Sequence, residues 1–412
     1  MIKQTKKFTL AATQRGLNGN AKSWIIFTLG LLTALSPFSI DMYLPAFPQI
    51  ARDLHTTTGD LALSLSSYFT GLAFGQLFYG PLLDRFGRKK PLYAGLLFYV
   101  LASVGCMLSK NLETLIFWRF LAGAGGCVAS VASIAIVRDL FTTEESSKVF
   151  SLIILVVGAS PLLAPMVGSI VAIHIGWQAL FALLIIIALL ILAAAAFILP
   201  ESHLPDQTVH LSPIPITRDY VSVFMTPQFA VYSLAGAISF AALFSYIAAS
   251  PALFFNFFKV DATTYSWIFT LLAAGFIGAS QMNIVLLRHF KSLQILKGAL
   301  CAQGMISFLF LVLIWNQWIT LTMVLSLLFP LLLSIGLVSP NAAVLAMAPF
   351  TKKAGSASAL LSFFQMLLGT IASIGVGCLH SESLLPIGLI LIASPLIAGG
   401  IVFWKKLPDQ LA

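Results

Sequence analysis

The chain has 412 residues, of which 59% are hydrophobic and only 9% are charged. Soluble domains carry about 25% charged residues, so this composition excludes a water-soluble globular protein. The formal net charge of +9 would suit nucleic acid or acidic lipid as a partner if the basic residues formed one patch.

Long apolar segments, separated by short polar ones, run through the whole chain. Each is near or above the roughly 20 residues that a helix needs to cross a bilayer. The segments are too long for strands and lack the alternating pattern of a membrane barrel. We therefore predict an all-α polytopic membrane protein with about twelve transmembrane helices. The predicted spans are 24–46, 60–81, 91–108, 112–137, 147–172, 177–199, 228–256, 263–287, 293–314, 318–346, 354–378 and 383–404.

The basic residues are distributed unevenly among the polar segments. Most of them lie in the two tails and in alternate connections, which places them on one side of the membrane. Connections rich in Lys and Arg stay in the cytoplasm, so both termini are predicted to be cytoplasmic. The net charge thus reports membrane topology, and we expect membrane lipid but no nucleic acid as a partner.

The first span contains one acidic residue away from its ends, Asp41. A low-dielectric surrounding favours the neutral form of a carboxyl group, which suits a group that takes up and releases a proton. Asp41 is therefore our candidate for proton coupling. The alternative is that Asp41 lies close to the outer surface and caps a helix that is broken above Pro45.

A charged hairpin of sequence GPLLDRFGRKK, Gly80 to Lys90, follows the second span. Its glycines permit close approach of the backbone, and its acid can accept hydrogen bonds from a helix start or pair with an arginine. The ordered spacing favours a functional loop over a simple basic turn. The candidate residues of this loop are Gly80, Asp84, Arg85, Gly87 and Arg88.

The fourth span carries Arg119 one or two turns from its start. An arginine inside a membrane costs on the order of 3 kcal/mol, so it needs a compensating role, and we predict that it shares proton coupling with Asp41. The alternative is that its side chain snorkels to the outer interface. Small residues that would let another helix approach follow it at Gly123, Gly126, Cys127 and Ser130.

The fifth span repeats small or helix-bending residues on one face. Gly158, Pro161, Pro165 and Gly168 recur at positions i, i+3, i+7 and i+10. This face lacks bulk, and the helix is expected to kink and to pack closely against a neighbour. Ordinary tolerance of Gly and Pro in membrane helices is the alternative.

A hydrophilic stretch from Glu201 to about Pro227 divides the chain into halves of six spans. A faint internal repeat places Arg288 opposite Arg85, but the second hairpin lacks the glycines and the acid. Any contact that the charged hairpin makes to close the cytoplasmic side is therefore expected from the first half only. Chance matches among apolar residues are the alternative to this repeat. The predicted domains are a cytoplasmic N-terminal tail 1–23, a six-helix bundle 24–200, a cytoplasmic linker 201–227, a second six-helix bundle 228–404 and a cytoplasmic C-terminal tail 405–412.

The hairpin after the second span resembles the hallmark loop of the major facilitator superfamily. In that loop the acid is thought to contact the start of the eleventh helix, here near Gly355 and Ser356. The run from Arg119 to the exit of the fourth span at Arg138 and Asp139 resembles the fourth-helix motif that the superfamily uses in proton transfer.

Two further segments are similar to particular groups within that superfamily. The stretch GASPLLAPMVGS resembles the fifth-helix motif of exporters, although Ala164 and Ser169 stand where the family usually has Gly. The string from Asp41 to Pro45, DMYLP, resembles the first helix of the Bcr/CflA group of twelve-helix drug/proton antiporters. The resemblance covers almost the whole chain and is densest from Asp41 to Phe181.

The resemblance implies a proton-coupled secondary transporter that exports small, largely apolar compounds by alternating access of two six-helix bundles. It implies multidrug efflux at the cell (inner) membrane, with the proton gradient as driving force, no cofactor, no metal and no enzymatic activity. We expect protons and a small-molecule substrate as partners and a functional monomer. The alternative is a proton-coupled transporter of one metabolite, such as a sugar, a nucleoside or an amino acid.

Substrate contact is predicted from aromatic and amide side chains inside the spans, since apolar pockets with a few polar groups suit drug-sized ligands. The alternative is packing against lipid or neighbouring helices. These candidates are Phe38, Tyr68, Phe69, Phe240, Phe244, Tyr246, Asn256, Asn283, Asn341 and Gln365.

Overall fold

The computed structural model describes residues 19–206, 213–350, 353–378 and 385–404. Throughout these ranges the regular secondary structure is helical. The predicted C-terminal tail, and the N-terminal tail as far as residue 18, lie outside them. The all-α class expected from composition is confirmed.

Twelve helices of the described chain are long and apolar enough to cross a membrane, as predicted. We number them α1 to α12 in chain order. They are α1 Gly19–Asp41, α2 Thr58–Phe86, α3 Lys89–Met107, α4 Leu112–Leu140, α5 Thr143–His174, α6 Gln178–Phe197, α7 Pro227–Pro251, α8 Ala262–Leu286, α9 Ser292–Trp315, α10 Leu321–Met347, α11 Ala354–Cys378 and α12 Leu385–Trp404.

The first span is broken and longer than predicted. After α1 ends at Asp41, the chain makes a 3-10 turn at Leu44–Ala46 and a short helix at Phe47–Asp53. Pro45 and Pro48 lack the N–H groups that would continue the helical ladder, which accounts for the restart. The whole apolar unit therefore runs over Ala21–Asp53.

The predicted linker contains a helix, Pro213–Phe224, which we call the linker helix. It begins with proline, whose missing N–H costs nothing at the first helical position. Val223 is buried, and the ring of Phe224 lies 5.3 Å from that of Phe364 in α11. The linker is thus partly docked on the second bundle.

Close backbone contact holds α2 against α4. A Cβ atom added at Gly123 would overlap the carbonyl oxygen of Tyr68, and one added at Gly71 would overlap that of Phe120. Such contact gives dispersion energy that lipid cannot replace. The small-residue face predicted on the fourth span therefore does contact a neighbouring helix.

The two six-helix bundles meet along α2 with α11 and α5 with α8. We call the end that carries Asp84–Lys90 the hairpin face, and the end that carries Asp53–Thr58 the opposite face. Near the opposite face, Asn256 Nδ2 donates to Thr58 Oγ1 at 2.7 Å. Deeper in the interface, the hydroxyls of Ser66 and Ser373 are 2.6 Å apart.

A cavity of about 640 Å³ lies between the bundles at the hairpin face. Its walls come from α2, α4, the start of α11 and the linker helix. Because the bundles touch near the opposite face and separate here, the described conformation opens toward the hairpin face.

Candidate functional site

Asp41 is the last residue of α1, and its side chain is 5% exposed. The carboxyl end of a helix carries partial negative charge, so an ionised carboxylate is unfavourable there as well as poorly solvated. Among the described residues, no ion pair involves Asp41. The helix breaks after Asp41, as the alternative supposed, but the side chain is buried rather than at the surface.

Asp41 lies near the second bundle. If ionised, its carboxylate would be close enough to act on the hydroxyl groups of Tyr246 in α7 and Tyr265 in α8. Helix α8 also packs against the turn Leu44–Ala46, directly after Asp41. The carboxyl group therefore lies at the interface between the bundles.

Arg119 is 1% exposed and lies among aromatic rings. Its guanidinium carbon is 4.2 Å from the ring centre of Tyr68 and 4.6 Å from that of Tyr43. Cation–π contact of this kind stabilises a desolvated arginine by about 2 kcal/mol. The alternative that Arg119 snorkels to the interface is wrong, because the side chain is enclosed by protein.

Arg119 also fixes the broken end of α1. Its Nη1 donates to the carbonyl oxygen of Ser39 at 3.2 Å, one of the carbonyls that a helix end leaves without an intrahelical partner. The Ser39 hydroxyl bonds to that of Tyr99, and the Tyr43 hydroxyl lies 2.7 Å from Ser64 Oγ. The tyrosines other than Tyr68 were missed, since no sequence spacing joins them to Arg119.

Asp41 and Arg119 do not pair in this conformation. Arg119 lies among Tyr43, Tyr68 and Tyr99 inside the first bundle, whereas an ionised Asp41 would act on the second bundle. The two predicted coupling residues therefore sit in adjacent but separate environments. Their shared role stays a prediction.

The hairpin is held by a charge network centred on Arg88. Its Nη1 lies 2.6 Å from Asp84 Oδ1, and its Nε lies 2.7 Å from Asp139 Oδ2, at the end of α4. Desolvation lowers the pKa of Arg88, but the bonds to the two carboxylates outweigh it and leave the pKa above its ordinary value. The Ser202 hydroxyl completes the network by donating to Asp139 at 3.0 Å.

A second part of the network was missed because it comes from beyond α6. Glu201 accepts from the backbone N–H of Arg88 at 2.7 Å and of Lys89 at 3.2 Å, and so caps the start of α3. Lys89 Nζ in turn donates to the carbonyl oxygens of Ala196 and Leu199 at the end of α6. The hairpin is therefore joined to α4 and to the segment after α6.

The remaining hairpin residues surround the cavity or close the turn. Gly80 and Asp84 line the cavity together with Gly355 and Ser356 at the start of α11. A Cβ added at Gly80 would have no heavy atom within 4 Å, so the predicted close approach is not made there in this conformation. The predicted contact between Asp84 and α11 stays a prediction.

Three further predicted residues have separate places around the hairpin. Gly87 closes the turn with φ of +85°, and the guanidinium of Arg85 lies against the Phe86 ring. Arg138, near the end of α4, lines the cavity.

The low-bulk face of α5 contacts both α1 and α8. A Cβ added at Gly168 would overlap the carbonyl oxygen of Met42, in the break of α1, and one at Gly158 would lie 3.5 Å from Ile277 of α8. The Ser266 hydroxyl of α8 donates to the Pro165 carbonyl oxygen at 3.1 Å. Pro161 is partly buried in the same helix. This face therefore joins the bundles beside Asp41.

The predicted substrate residues fall into separate groups. Phe69 of α2 and Phe244 of α7 form an edge contact at 4.3 Å across the bundles, and Phe240 lies 5.3 Å from Phe244. Phe38 packs against the same core. Tyr246 stacks on Phe269 of α8 at 6.2 Å.

The amide candidates lie elsewhere. Asn341 Nδ2 donates to Asn283 Oδ1 at 2.6 Å, so these two residues satisfy one another between α10 and α8. Asn256 belongs to the contact at the opposite face, and Gln365 is partly buried in α11. The geometry brings Phe69, Phe240 and Phe244 together and pairs Asn283 with Asn341, but it does not gather the candidates into one site.

Comparison with known proteins gives a consistent set of similarities. The chain matches the profile of the Major Facilitator Superfamily over residues 29–373. It is 33% identical over 400 residues, 95% of this chain and 98% of the relative, to the uncharacterized MFS-type transporter YdgK of Bacillus subtilis. It is 30% identical over 375 residues to the bicyclomycin resistance protein homolog of Haemophilus influenzae, covering 89% of this chain and 92% of that one.

Two further similarities concern function and fold. The multidrug resistance protein MdtL of a Shewanella species is 29% identical over 376 residues, 89% of this chain and 92% of that one. The crystal structure of a D-xylose-proton symporter superposes with a TM-score of 0.70 over 94% of this chain and 98% of the other. At 16% identity, that likeness shows the fold alone.

Proposed function

The chain belongs to the major facilitator superfamily, in its Bcr/CflA drug/proton antiporter group, and we propose that it exports small, largely apolar compounds in exchange for protons. Its relatives are transporters rather than enzymes, and several are named for drug resistance. We propose that it works as a monomer in the cell (inner) membrane, with the hairpin face in the cytoplasm.

The observation that carries the proposal is the placement of Asp41. A carboxyl group that lies at a helix end, is nearly excluded from water and has no basic partner among the described residues favours its protonated form. This environment makes ionisation of the Asp41 carboxyl unfavourable. Protonation of Asp41 therefore biases the relative position of the bundles that meet around it.

The cavity gives this bias a direction. Substrate enters the cavity at the hairpin face, where the bundles are apart. The aromatic contact of Phe69 with Phe244 lies beyond the lining of that cavity and opens to the substrate when the bundles move. When the bundles close at the hairpin face and separate at the opposite face, the substrate leaves and a proton reaches Asp41. Gly168 against Met42 keeps the broken end of α1 close to α5 during that movement.

The proposal is tested by replacing Asp41 with asparagine in the full chain. Everted membrane vesicles that carry an imposed pH gradient are exposed to bicyclomycin and a panel of apolar antibiotics, and gradient collapse and compound accumulation are recorded. One proton moved down a gradient of one pH unit supplies about 1.4 kcal/mol, enough for an accumulation ratio of about 10. We expect Asp41→Asn to abolish this accumulation.

Asp261→Asn is the matched control, because Asp261 is an exposed cap at the start of α8 that bonds to Thr264. This variant should transport like the wild type. If Asp41→Asn retained full gradient-driven accumulation, or if a single sugar or amino acid rather than apolar compounds collapsed the gradient, the proposed function would be wrong.

A further inference from the structure

Tyr246 is a buried tyrosine with an unused hydroxyl group. The side chain is 4% exposed, and its hydroxyl has no hydrogen-bond partner within the described residues. The neighbouring Tyr265 differs in this respect, since its hydroxyl lies 2.8 Å from Ser250 Oγ. A buried donor without a partner is unfavourable, so Tyr246 is expected to have a partner in another state of the protein.

Tyr246 lies on the second bundle, facing the break in the first. Its ring stacks on Phe269 of α8, and α8 packs against the turn that follows Asp41. The Asp41 carboxyl is close enough for its charge to act on the Tyr246 and Tyr265 hydroxyls. Of these two hydroxyls, that of Tyr246 is the one with a free donor.

Other elements near Asp41 also hold donors, but these belong to the first bundle. Arg119 Nε and Nη2 have no partner among the described residues, yet the guanidinium lies against aromatic rings of α2 and of the break. Helix α5 packs on the break through Gly168 and has no acidic or basic residue between Val149 and Ile173; the unpartnered hydroxyl of Ser160 lies two turns away. A hydrogen bond that joins an ionised Asp41 to the second bundle would therefore come from Tyr246.

We propose that the Tyr246 hydroxyl is the hydrogen-bond donor for the ionised Asp41 carboxylate, so that proton release joins α1 of the first bundle to α7 of the second. The O–H bond of the Asp41 carboxyl breaks, its proton leaves to solvent, and Tyr246 keeps its own proton while donating to the carboxylate oxygen. Reprotonation of Asp41 removes the negative acceptor and releases the bond. The inference rests on the proposed function, because it assigns a positioning residue to the same proton site.

The test is a titration that needs no substrate. The infrared band of the protonated Asp41 carboxyl is followed against pH in the purified full-length protein, with Asp41→Asn identifying the band. Loss of a hydrogen bond to a charged acceptor in Tyr246→Phe should shift the titration midpoint up by about one to two pH units. Tyr265→Phe is the matched control and should leave the midpoint within a few tenths of a unit of the wild type.

Each result decides between this inference and its alternatives. A midpoint that is unchanged in Tyr246→Phe, or shifted equally in Tyr265→Phe, overturns the role of Tyr246 while leaving the function of Asp41 intact. If Asp41→Asn removes no band and keeps gradient-driven transport, the proposed function itself fails. An upward shift confined to Tyr246→Phe supports the hydrogen bond.

Discussion

The hairpin between α2 and α3 and its counterpart between α8 and α9 occupy matching places in the two bundles but are held differently. In the first, Arg88 pairs with two carboxylates and Glu201 caps the next helix. In the second, residues 287–291 are exposed, and no described ion pair involves Arg288 or Lys291. Basic residues therefore take part in a tertiary contact in one bundle and lie in an exposed turn in the other.

The largest difference between the hairpins is expected for their arginines. Arg88→Ala leaves the Asp139 carboxylate partly buried without its cation, which should lower the free energy of unfolding by about 3 kcal/mol. Arg288→Ala removes an exposed side chain and should change it by less than about 0.5 kcal/mol. Denaturant unfolding in detergent micelles measures both, and equal losses would contradict the comparison.

A smaller effect is expected for the turn glycine of the first hairpin. Gly87→Ala forces a side chain onto a backbone at φ of +85°, where the new Cβ would also lie 3.1 Å from a Glu201 carboxylate oxygen. We expect a loss of about 1 to 3 kcal/mol in the same unfolding assay.

Gly80→Ala is the control for this substitution, because its added methyl group meets open space in a helix. It should be neutral or stabilising by up to about 1 kcal/mol. A comparable loss in both variants would show that helix α2, rather than the turn, responds to the added methyl group.

The smallest effect is expected for the cap from beyond α6. Glu201→Ala removes the acceptor of two backbone N–H groups at the partly buried start of α3 and should lower the free energy of unfolding by about 1 kcal/mol. Hydrogen exchange at the amides of Arg88 and Lys89 should become faster, while Glu113→Ala at the start of α4 should leave it unchanged. Unaltered exchange in Glu201→Ala would mean that the cap contributes nothing measurable.

The membrane architecture was predictable because it follows from local composition. A run of about 20 apolar residues has few stable structures other than a spanning helix, and each predicted span overlaps one of α1 to α12. The small-residue faces around Gly123 and Gly168 were also local signals, since helical spacing fixes which side chains share a face.

The partners of the charged residues were not predictable in the same way. The Glu201 carboxylate is 113 residues from Arg88, and the aromatic rings around Arg119 come from the break after α1 and from α2. A single sequence does not show which residues that are far apart along the chain come into contact in the fold. The linker helix was not predicted within the hydrophilic stretch, although a proline at the first position is compatible with a helix.

The linker helix is bonded to both halves of the molecule. The Tyr220 hydroxyl donates to the Leu77 carbonyl of α2, and Lys353 at the start of α11 contacts Asp219 and Ser222. A pair of separately expressed half-transporters, divided ahead of Pro213, would thus carry the docking element on the second polypeptide alone. At this face the hydrogen bond of Tyr220 to α2 would then form between two polypeptides, so the linker helix aligns the bundles as well as connecting them.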